Sequence, residues 1–290
     1  MRRLSKYLEL TKPKVTLLNL FVGSTCFTLA ELPSVNWLML GFFVIVSYCI
    51  VGGCGVLNCY FDRDIDANMA RTSQRAIPTG KIAPIAALIY GTLMTLAGLI
   101  ATYFFFGMLT SLLVSLGIIF YILVYTIALK RISRWNVLLG AIAGPFAALA
   151  GWTATGSSLS LIPVVVGALV FLWIPGHLWC LAIRMVKEYE FAGIPMLPAV
   201  SGLADASKFV FLFNVAAFGC SLVFLAFGAV GLIYLVIACI AGAKLIVESK
   251  RLLATKDGAQ AFRLFMTTSP YLATIMIALL LDKLVLIRIL

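Results

Sequence analysis

The sequence is poor in charged residues. Only 11% of its 290 residues are Asp, Glu, Lys or Arg, whereas 63% are hydrophobic and the mean hydropathy is +1.10. Soluble domains carry about 25% charged residues, so the deficit excludes an ordinary soluble protein. Because one membrane crossing takes about 20 apolar residues, a chain of this length leaves no room for a large soluble domain. We predict an all-α polytopic membrane protein.

The sequence also lacks the cysteine and histidine patterns of disulfide or zinc proteins. Its seven cysteines lie within or at the ends of apolar runs, with no C-x-x-C pair and no histidine at the spacing of a zinc ligand. We therefore expect them to be packing residues. No small-residue cleavage site follows the first basic cluster, so we expect no cleaved signal peptide.

The apolar runs predict about nine transmembrane helices in a single domain covering residues 1–290. The predicted helices are 14–31, 37–58, 82–106, 109–129, 136–155, 161–183, 208–227, 229–247 and 268–288.

The basic residues predict the orientation of these helices. With the amino terminus inside, only Lys283 and Arg288 fall on the outer side, which leaves 20 of the 22 Lys and Arg in the cytoplasm. This asymmetry predicts a multi-pass protein of the cell (plasma) membrane, with a cytoplasmic amino terminus and an outer carboxyl terminus. Topology thus explains the net charge of +11, and no nucleic-acid surface is expected.

The connections between the predicted helices are unequal. Three long inner segments, 59–81, 184–207 and 248–267, hold eight of the eleven acidic residues, whereas the outer connections are short. Functional groups concentrate on such loops, so we expect the chemistry on the cytoplasmic side.

The strongest motif lies at the inner end of the second predicted helix. Asn58, Asp62 and Asp66 are four residues apart and share one helical face, while Asp64 points elsewhere. Ionised carboxylates near hydrocarbon need a compensating cation. Mg²⁺ fits, because it takes one or two carboxylates together with substrate phosphates. The alternative is a solvated acidic helix end balanced by neighbouring arginines.

Two other polar segments lie on the same predicted face. Residues 184–198, with Lys187 and Glu188, follow the sixth helix, an even number of crossings after the first motif. Lys130 and Arg131 end the fourth helix. They are either ordinary interfacial anchors or, beside the acidic residues, a clamp for a diphosphate.

These residues resemble a known family. Asn58-x-x-x-Asp62-x-x-x-Asp66 is similar to the first aspartate-rich motif of the UbiA superfamily of intramembrane prenyltransferases, which are nine-helix, magnesium-dependent enzymes. The resemblance covers about residues 7 to 205. Within the superfamily, four stretches are similar to the heme O synthase branch. The first continues the motif over residues 65–75. The others are residues 10–15, residues 125–131 together with Asn136 and Gly151-Trp152, and residues 173–182 together with 192–198.

The resemblance implies an enzyme with two apolar substrates. Farnesyl diphosphate and heme b would react so that the farnesyl chain joins a heme vinyl group, giving heme O and diphosphate, with Mg²⁺ bound alongside the diphosphate. It also implies heme A synthase or a terminal oxidase as partners in the lipid bilayer. One alternative is a UbiA-type enzyme with another acceptor, a quinone precursor or a lipid. A secondary transporter is disfavoured, because transporter sites lie near the bilayer midplane.

Residues and resemblance together assign three groups of site residues. The expected catalytic residues are Asn58, Asp62, Asp66 and Glu188, and the metal ligands among them are Asp62, Asp66 and Glu188. Glu188 is the only acid matching the second site, because Lys187-Glu188-Tyr189 stands where the family has Asp-Asp-Tyr. The expected diphosphate ligands are Arg71, Arg75, Lys130, Arg131 and Lys187. Arg71 and Arg75 are four residues apart, so we expect both to face one ligand.

The third group would face the heme acceptor and consists of His177 and Trp173. His177 is the sole histidine. It could form a helix-to-helix hydrogen bond, contact the heme through iron or a propionate, or transfer a proton, and the sequence leaves these alternatives open.

Overall fold

A computed structural model describes the backbone of residues 2–289 and the side chains of residues 5–285. The side chains of Arg2, Arg3 and Arg288, which contribute to the predicted topology, lie outside the described ones. The helices are α1 (Arg2–Leu10), α2 (Pro13–Glu31), α3 (Trp37–Phe61), α4 (Arg63–Asn68), α5 (Pro84–Ile118), α6 (Asn136–Gly140), α7 (Pro145–Thr153), α8 (Leu161–Arg184), α9 (Val186–Phe191), α10 (Leu197–Ala226), α11 (Leu232–Thr255) and α12 (Gly258–Ile289). A π-helical segment, Ile119–Leu129, extends α5, and a 3-10 turn, Ala141–Ala143, links α6 to α7.

The described residues contain helices and no strand, which confirms the predicted all-α class. Seven stretches are long and apolar enough to cross a membrane. These are Trp37–Phe61, Pro84–Leu129, Asn136–Thr153, Leu161–Arg184, Leu197–Ala226, Leu232–Thr255 and Gly258–Val285. The count of nine helices stays a prediction.

Two features account for the difference between the seven membrane-spanning stretches and the nine predicted helices. The stretch Pro84–Leu129 has 46 residues, roughly 69 Å at 1.5 Å per residue, about twice the length that one crossing needs. Its backbone leaves the helical region at Gly107, with φ 84° and ψ 176°, between the two predicted helices 82–106 and 109–129. The predicted first crossing corresponds to α2, which is not among the seven stretches.

Three helices extend beyond the predicted ranges at their polar ends. Helix α10 begins at Leu197 instead of 208, with a break in its backbone at Gly202 (φ 80°, ψ 166°). Helix α11 continues to Thr255 instead of ending at 247, and α12 begins at Gly258 instead of 268. The predicted loop 248–267 is therefore reduced to two residues. The Asp257 carboxylate accepts two backbone N–H bonds at 3.0 and 3.1 Å, which caps α12. Hydropathy locates the hydrocarbon region, whereas these helices continue into polar sequence beyond it.

Glycine contacts let the helices that carry the site pack closely. A Cβ atom at Gly151 of α7 would overlap the backbone of Gly23 in α2, and one at Gly53 of α3 would meet Gly91 in α5 at 2.9 Å. Backbones approach this closely only where side chains are absent. This packing fixes α3, whose carboxyl end leads into α4, against the rest of the bundle.

Candidate active site

The acidic motif crosses the junction between α3 and α4 without losing its helical register. The Asp62 N–H donates to the Asn58 carbonyl at 2.9 Å, and the Asp66 N–H donates to the Asp62 carbonyl at 2.7 Å. Asn58, Asp62 and Asp66 are 3%, 1% and 4% exposed, whereas the Asp64 side chain is 59% exposed. The predicted shared face of the first three residues is confirmed.

Each of these three side chains accepts a hydrogen bond from a cation outside α3 and α4. The pairs are Lys12 with Asn58, Lys130 with Asp62, and Arg75 with Asp66. The two ion pairs are 2.5 Å for Lys130 Nζ to Asp62 Oδ2 and 2.6 Å for Arg75 Nη1 to Asp66 Oδ2. Pairing of this kind offsets the cost of burying charge.

One buried carboxylate oxygen of the acidic motif has no hydrogen-bond partner. Asp62 Oδ1 is buried and has no hydrogen-bond partner, although buried polar atoms almost always have one. A hard anionic oxygen without a partner is a suitable ligand for Mg²⁺, so the residues at Asp62 fit a divalent cation.

The three predicted metal ligands do not form one cluster. Within residues 5–285, no group of three or more His, Cys, Asp or Glu side chains lies close enough to hold a metal ion together. Glu188 contacts the first motif's loop instead of its carboxylates, through a long hydrogen bond of 3.4 Å from the Arg71 N–H to Glu188 Oε2. The two polar segments thus meet on one face of the bundle.

Lys130 and Arg131 form ion pairs with different acids, Asp62 and Asp64. Arg131 forms two 2.7 Å hydrogen bonds to Asp64 and a third, of 2.9 Å, to the Phe61 carbonyl. The hydrogen bond from Arg131 lowers the pKa of the Asp64 carboxyl to about 2. Arg131 therefore lies at the exposed side of the motif, while Lys130 reaches the buried side.

Arg71 and Arg75 do not share a helical face, contrary to the expectation from their spacing. Residues 69–83 form turns, and the chain reverses after α4, where Thr72 Oγ1 donates to the Asp66 carbonyl at 3.0 Å. The reversal brings Arg75 back to Asp66. The Arg71 guanidinium instead lies near Tyr189 of α9 and acts to lower the pKa of its hydroxyl.

The second polar segment is more open. Lys187 and Glu190 are exposed and Glu188 is half-buried, and none of the three has an ion pair among the described side chains. Tyr189, which lies between Glu188 and Glu190, is buried, and burial raises the pKa of its hydroxyl while Arg71 opposes the shift.

The predicted acceptor residues join α8 to α12. The His177 ring stacks between Trp173 and Phe265, with ring centroids 4.5 and 4.2 Å away. His177 Nδ1 lies 2.6 Å from Thr268 Oγ1, and Trp173 Nε1 donates to the Thr268 carbonyl at 2.8 Å. The helix-to-helix hydrogen bond is thus present, and contact with an acceptor stays a prediction.

Sequence reasoning missed two residues that hold Asn58. Lys12 donates to its side-chain carbonyl, and Asn58 Nδ2 donates to Thr126 Oγ1 at 2.9 Å. Lys12 lies between α1 and α2 with a left-handed backbone, φ 51°. The similarity of residues 10–15 to the family was the only signal pointing to Lys12.

The helical bundle with a buried, cation-paired aspartate motif defines a class of membrane enzyme. Residues 17–271 match the UbiA prenyltransferase family, and the chain belongs to it. Among its relatives, the chain is 41% identical over 230 residues to protoheme IX farnesyltransferase 1 of Cenarchaeum symbiosum, covering 79% of this chain and 77% of that protein.

Two further comparisons extend over more of the chain. It is 37% identical over 279 residues to protoheme IX farnesyltransferase of Chloroflexus aurantiacus, covering 96% of this chain and 48% of that protein, so the chain spans about half the length of that relative. A solved UbiA homologue from Archaeoglobus fulgidus, bound to GPP and Mg²⁺, is similar in fold. Its TM-score is 0.69 at 16% identity, over 94% of this chain and 99% of that one.

Proposed function

We propose that this chain is a prenyltransferase that joins the farnesyl group of farnesyl diphosphate to a vinyl group of heme b. Water adds in the reaction, diphosphate leaves, and the product is heme O. The observation that carries the prenyl half is the buried pair Asp62 and Asp66, each held by a cation. The acceptor half is supported by relatives named protoheme IX farnesyltransferase.

The cations of the site suit an allylic diphosphate substrate. The carbon–oxygen bond of such an ester breaks readily when charge growing on the leaving diphosphate is neutralised. Lys130 and Arg75 lie at the carboxylates, and Arg71 lies between the two polar segments. We assign these side chains, with Arg131 and Lys187, to binding the diphosphate.

Mg²⁺ would be held by Asp62 and Asp66, with Glu188 as the third candidate ligand, and would supply Lewis-acid stabilisation of the diphosphate oxygens. The unpartnered Asp62 Oδ1 supports this assignment. The Mg²⁺ and GPP bound to the Archaeoglobus homologue are consistent with it. Asn58, fixed by Lys12 and Thr126, orients the motif.

We place the acceptor on the side of His177 and Trp173. Both belong to α8, whose inner end leads to Glu188 and Tyr189. The aromatic stack of Trp173, His177 and Phe265 suits a flat apolar acceptor such as a porphyrin. Burial of both substrates among helices also limits capture of the allylic cation by water.

The test is direct. Purified protein is incubated with heme b and farnesyl diphosphate, with and without Mg²⁺, and farnesylated heme is sought by mass spectrometry. We expect the product only when Mg²⁺ is present. Prenylation of a quinone precursor or a lipid, with heme b left unchanged, would favour the alternative acceptors. Heme A synthase or a terminal oxidase is the proposed consumer of the product.

We propose nine crossings of the plasma membrane, with the amino terminus in the cytoplasm and the carboxyl terminus outside. The distribution of basic residues and the backbone break at Gly107 support this topology. Cysteines introduced at Ser73 and at Ser157, in a cysteine-free background, should label from opposite sides. Labelling of both from outside would contradict the orientation.

A further inference from the structure

Lys244 differs from the neighbouring acids of α11 and α12 in having no partner within residues 5–285. Asp282 accepts hydrogen bonds from two N–H donors at the start of α11, at 2.5 and 3.0 Å. Glu248 pairs with Arg251. Lys244 is exposed and has no hydrogen bond or ion pair within residues 5–285. It lies three residues before the end of the predicted apolar run 229–247, so its ammonium reaches the membrane interface, where lipid phosphates lie.

Lys244 lines a groove between α11 and α12. The groove has a volume of about 350 Å³. Pro270, a proline inside α12, lies in its lining and has no backbone N–H to donate there. Ile240 on its wall is 69% exposed, which in a membrane-spanning stretch means exposed to lipid. Its residues include Ile237, Ile240, Lys244, Thr267, Pro270 and Thr274.

The groove is polarised along the helix axes. Its apolar wall, Ile237 and Ile240, lies toward the start of α11, and Lys244 and Thr267 lie toward the end that carries Lys250 and Arg251. Arg263 lies one turn before Thr267 on α12. The Thr267 hydroxyl donates to the Arg263 carbonyl at 3.0 Å. Arg263 is also exposed and without an ion pair in the described part of the chain. The pattern is that of an amphiphile site with an anionic head.

We propose that the groove binds one anionic glycerophospholipid, with its phosphate at Lys244 and Arg263 and one acyl chain along Ile237 and Ile240. Basic pockets between transmembrane helices on the cytoplasmic side bind anionic headgroups in this way. A zwitterionic lipid carries its own cation and leaves less net charge to compensate that of Lys244. The groove volume lies at the small end of the about 300–1,000 Å³ range of ligand sites, which suits a single chain.

Native mass spectrometry of the delipidated full chain tests the proposal. Phosphatidylglycerol and phosphatidylcholine with identical acyl chains are titrated separately. We expect phosphatidylglycerol to bind about tenfold more tightly, the effect of one charge-assisted contact. Lys244→Met should abolish that preference. Lys250→Met, which removes the same charge from an exposed position of the same helix outside the groove, should leave it intact.

Two more variants distinguish the contribution of the lipid headgroup to binding from that of the acyl chain. Lys244→Arg keeps the charge and should keep the preference, with the melting temperature reporting on folding. Ile240→Trp fills the groove from an exposed position and should weaken both lipids alike. Equal binding of the two lipids by the wild type would overturn the proposal, as would an unchanged preference in Lys244→Met. Displacement of phosphatidylglycerol by farnesyl diphosphate, or dimers that Ile240→Trp dissociates, would assign the groove to those occupants instead.

Discussion

The two polar regions on the proposed cytoplasmic face carry similar side chains in opposite environments. In the first region, Asp62 and Asp66 are almost fully buried and each is bonded to a cation. In the second region, Lys187 and Glu190 are exposed and unpaired within the described chain. Burial therefore decides which acids are organised before a ligand arrives, since a buried charge must be paired and an exposed one need not be.

The carboxylates of the first region are each balanced by a cation. Asp62, Asp64 and Asp66 form ion pairs with Lys130, Arg131 and Arg75, and Lys12, bonded to the neutral Asn58, adds one further positive charge. A metal ion alone would add net positive charge to this set, whereas a metal with a diphosphate would not. The second region has no such balance and depends on what binds beside it.

The largest expected effect comes from the buried acids. Asp62→Ala or Asp66→Ala should abolish farnesyl transfer, a loss of at least about a hundredfold from removing a charge-assisted ligand. Asp64→Ala should be milder, because its carboxylate is exposed and bound to Arg131. Turnover and its Mg²⁺ dependence are the measurements. Near-wild-type turnover in both buried-site variants would show that the metal site lies elsewhere.

The neighbouring cations Lys130 and Arg131 give the next effect. Lys130→Met leaves Asp62 buried with neither oxygen paired, which should lower the free energy of unfolding by about 3–5 kcal/mol. Arg131→Met breaks an exposed pair and should cost about 0–1 kcal/mol. Denaturant unfolding in detergent compares the two. An equal loss in both variants would mean that burial does not distinguish the pairs.

The same cations should affect binding of the diphosphate. Lys130→Ala and Arg71→Ala should each weaken pyrophosphate binding about tenfold to a hundredfold, the effect of one charge-assisted hydrogen bond. Calorimetric titration of folded variants measures this. Affinities within twofold of the wild type would leave both residues as anchors at the membrane interface.

A smaller effect should follow from the balanced charges. Because the carboxylates are already paired, we expect inorganic pyrophosphate to tighten Mg²⁺ binding by about tenfold, and Mg²⁺ to tighten pyrophosphate binding by the same factor. Calorimetry with each ligand in the presence and absence of the other measures the coupling. Independent binding would mean that the cations stay on the carboxylates when the diphosphate is bound.

The helical period accounts for what the sequence could predict at this site. It predicted the common face of Asn58, Asp62 and Asp66 and that Asp64 points away from this face. It could not predict two of their cations, because Lys12 is 46 residues from Asn58 and Lys130 is 68 residues from Asp62. Such pairs depend on the packing of helices, which no local pattern encodes.

The other sequence predictions failed at turns and at the ends of helices. The four-residue spacing of Arg71 and Arg75 predicted a shared face, but residues 69–83 form turns instead of a helix. The hydropathy pattern placed the starts of two helices at the edge of the hydrocarbon, although α12 and α10, the latter with a break at Gly202, begin about three turns earlier. In both cases a polar segment adopted a structure that its apolar content did not reveal.

The smallest effect is expected in the second region, where Glu188 and Glu190 form a matched pair. Glu188 is half-buried and accepts the Arg71 N–H, whereas Glu190 is exposed without a described partner. Glu188→Gln should therefore lower turnover by about fivefold, equivalent to about 1 kcal/mol, and Glu190→Gln should leave it unchanged. Lys187→Asp adds an acid beside Glu188 and should make turnover depend more steeply on Mg²⁺ concentration, because two carboxylates can share a second ion. Steady-state rates over a Mg²⁺ series measure all three. A damaging Glu190→Gln with a silent Glu188→Gln would move the second site to Glu190.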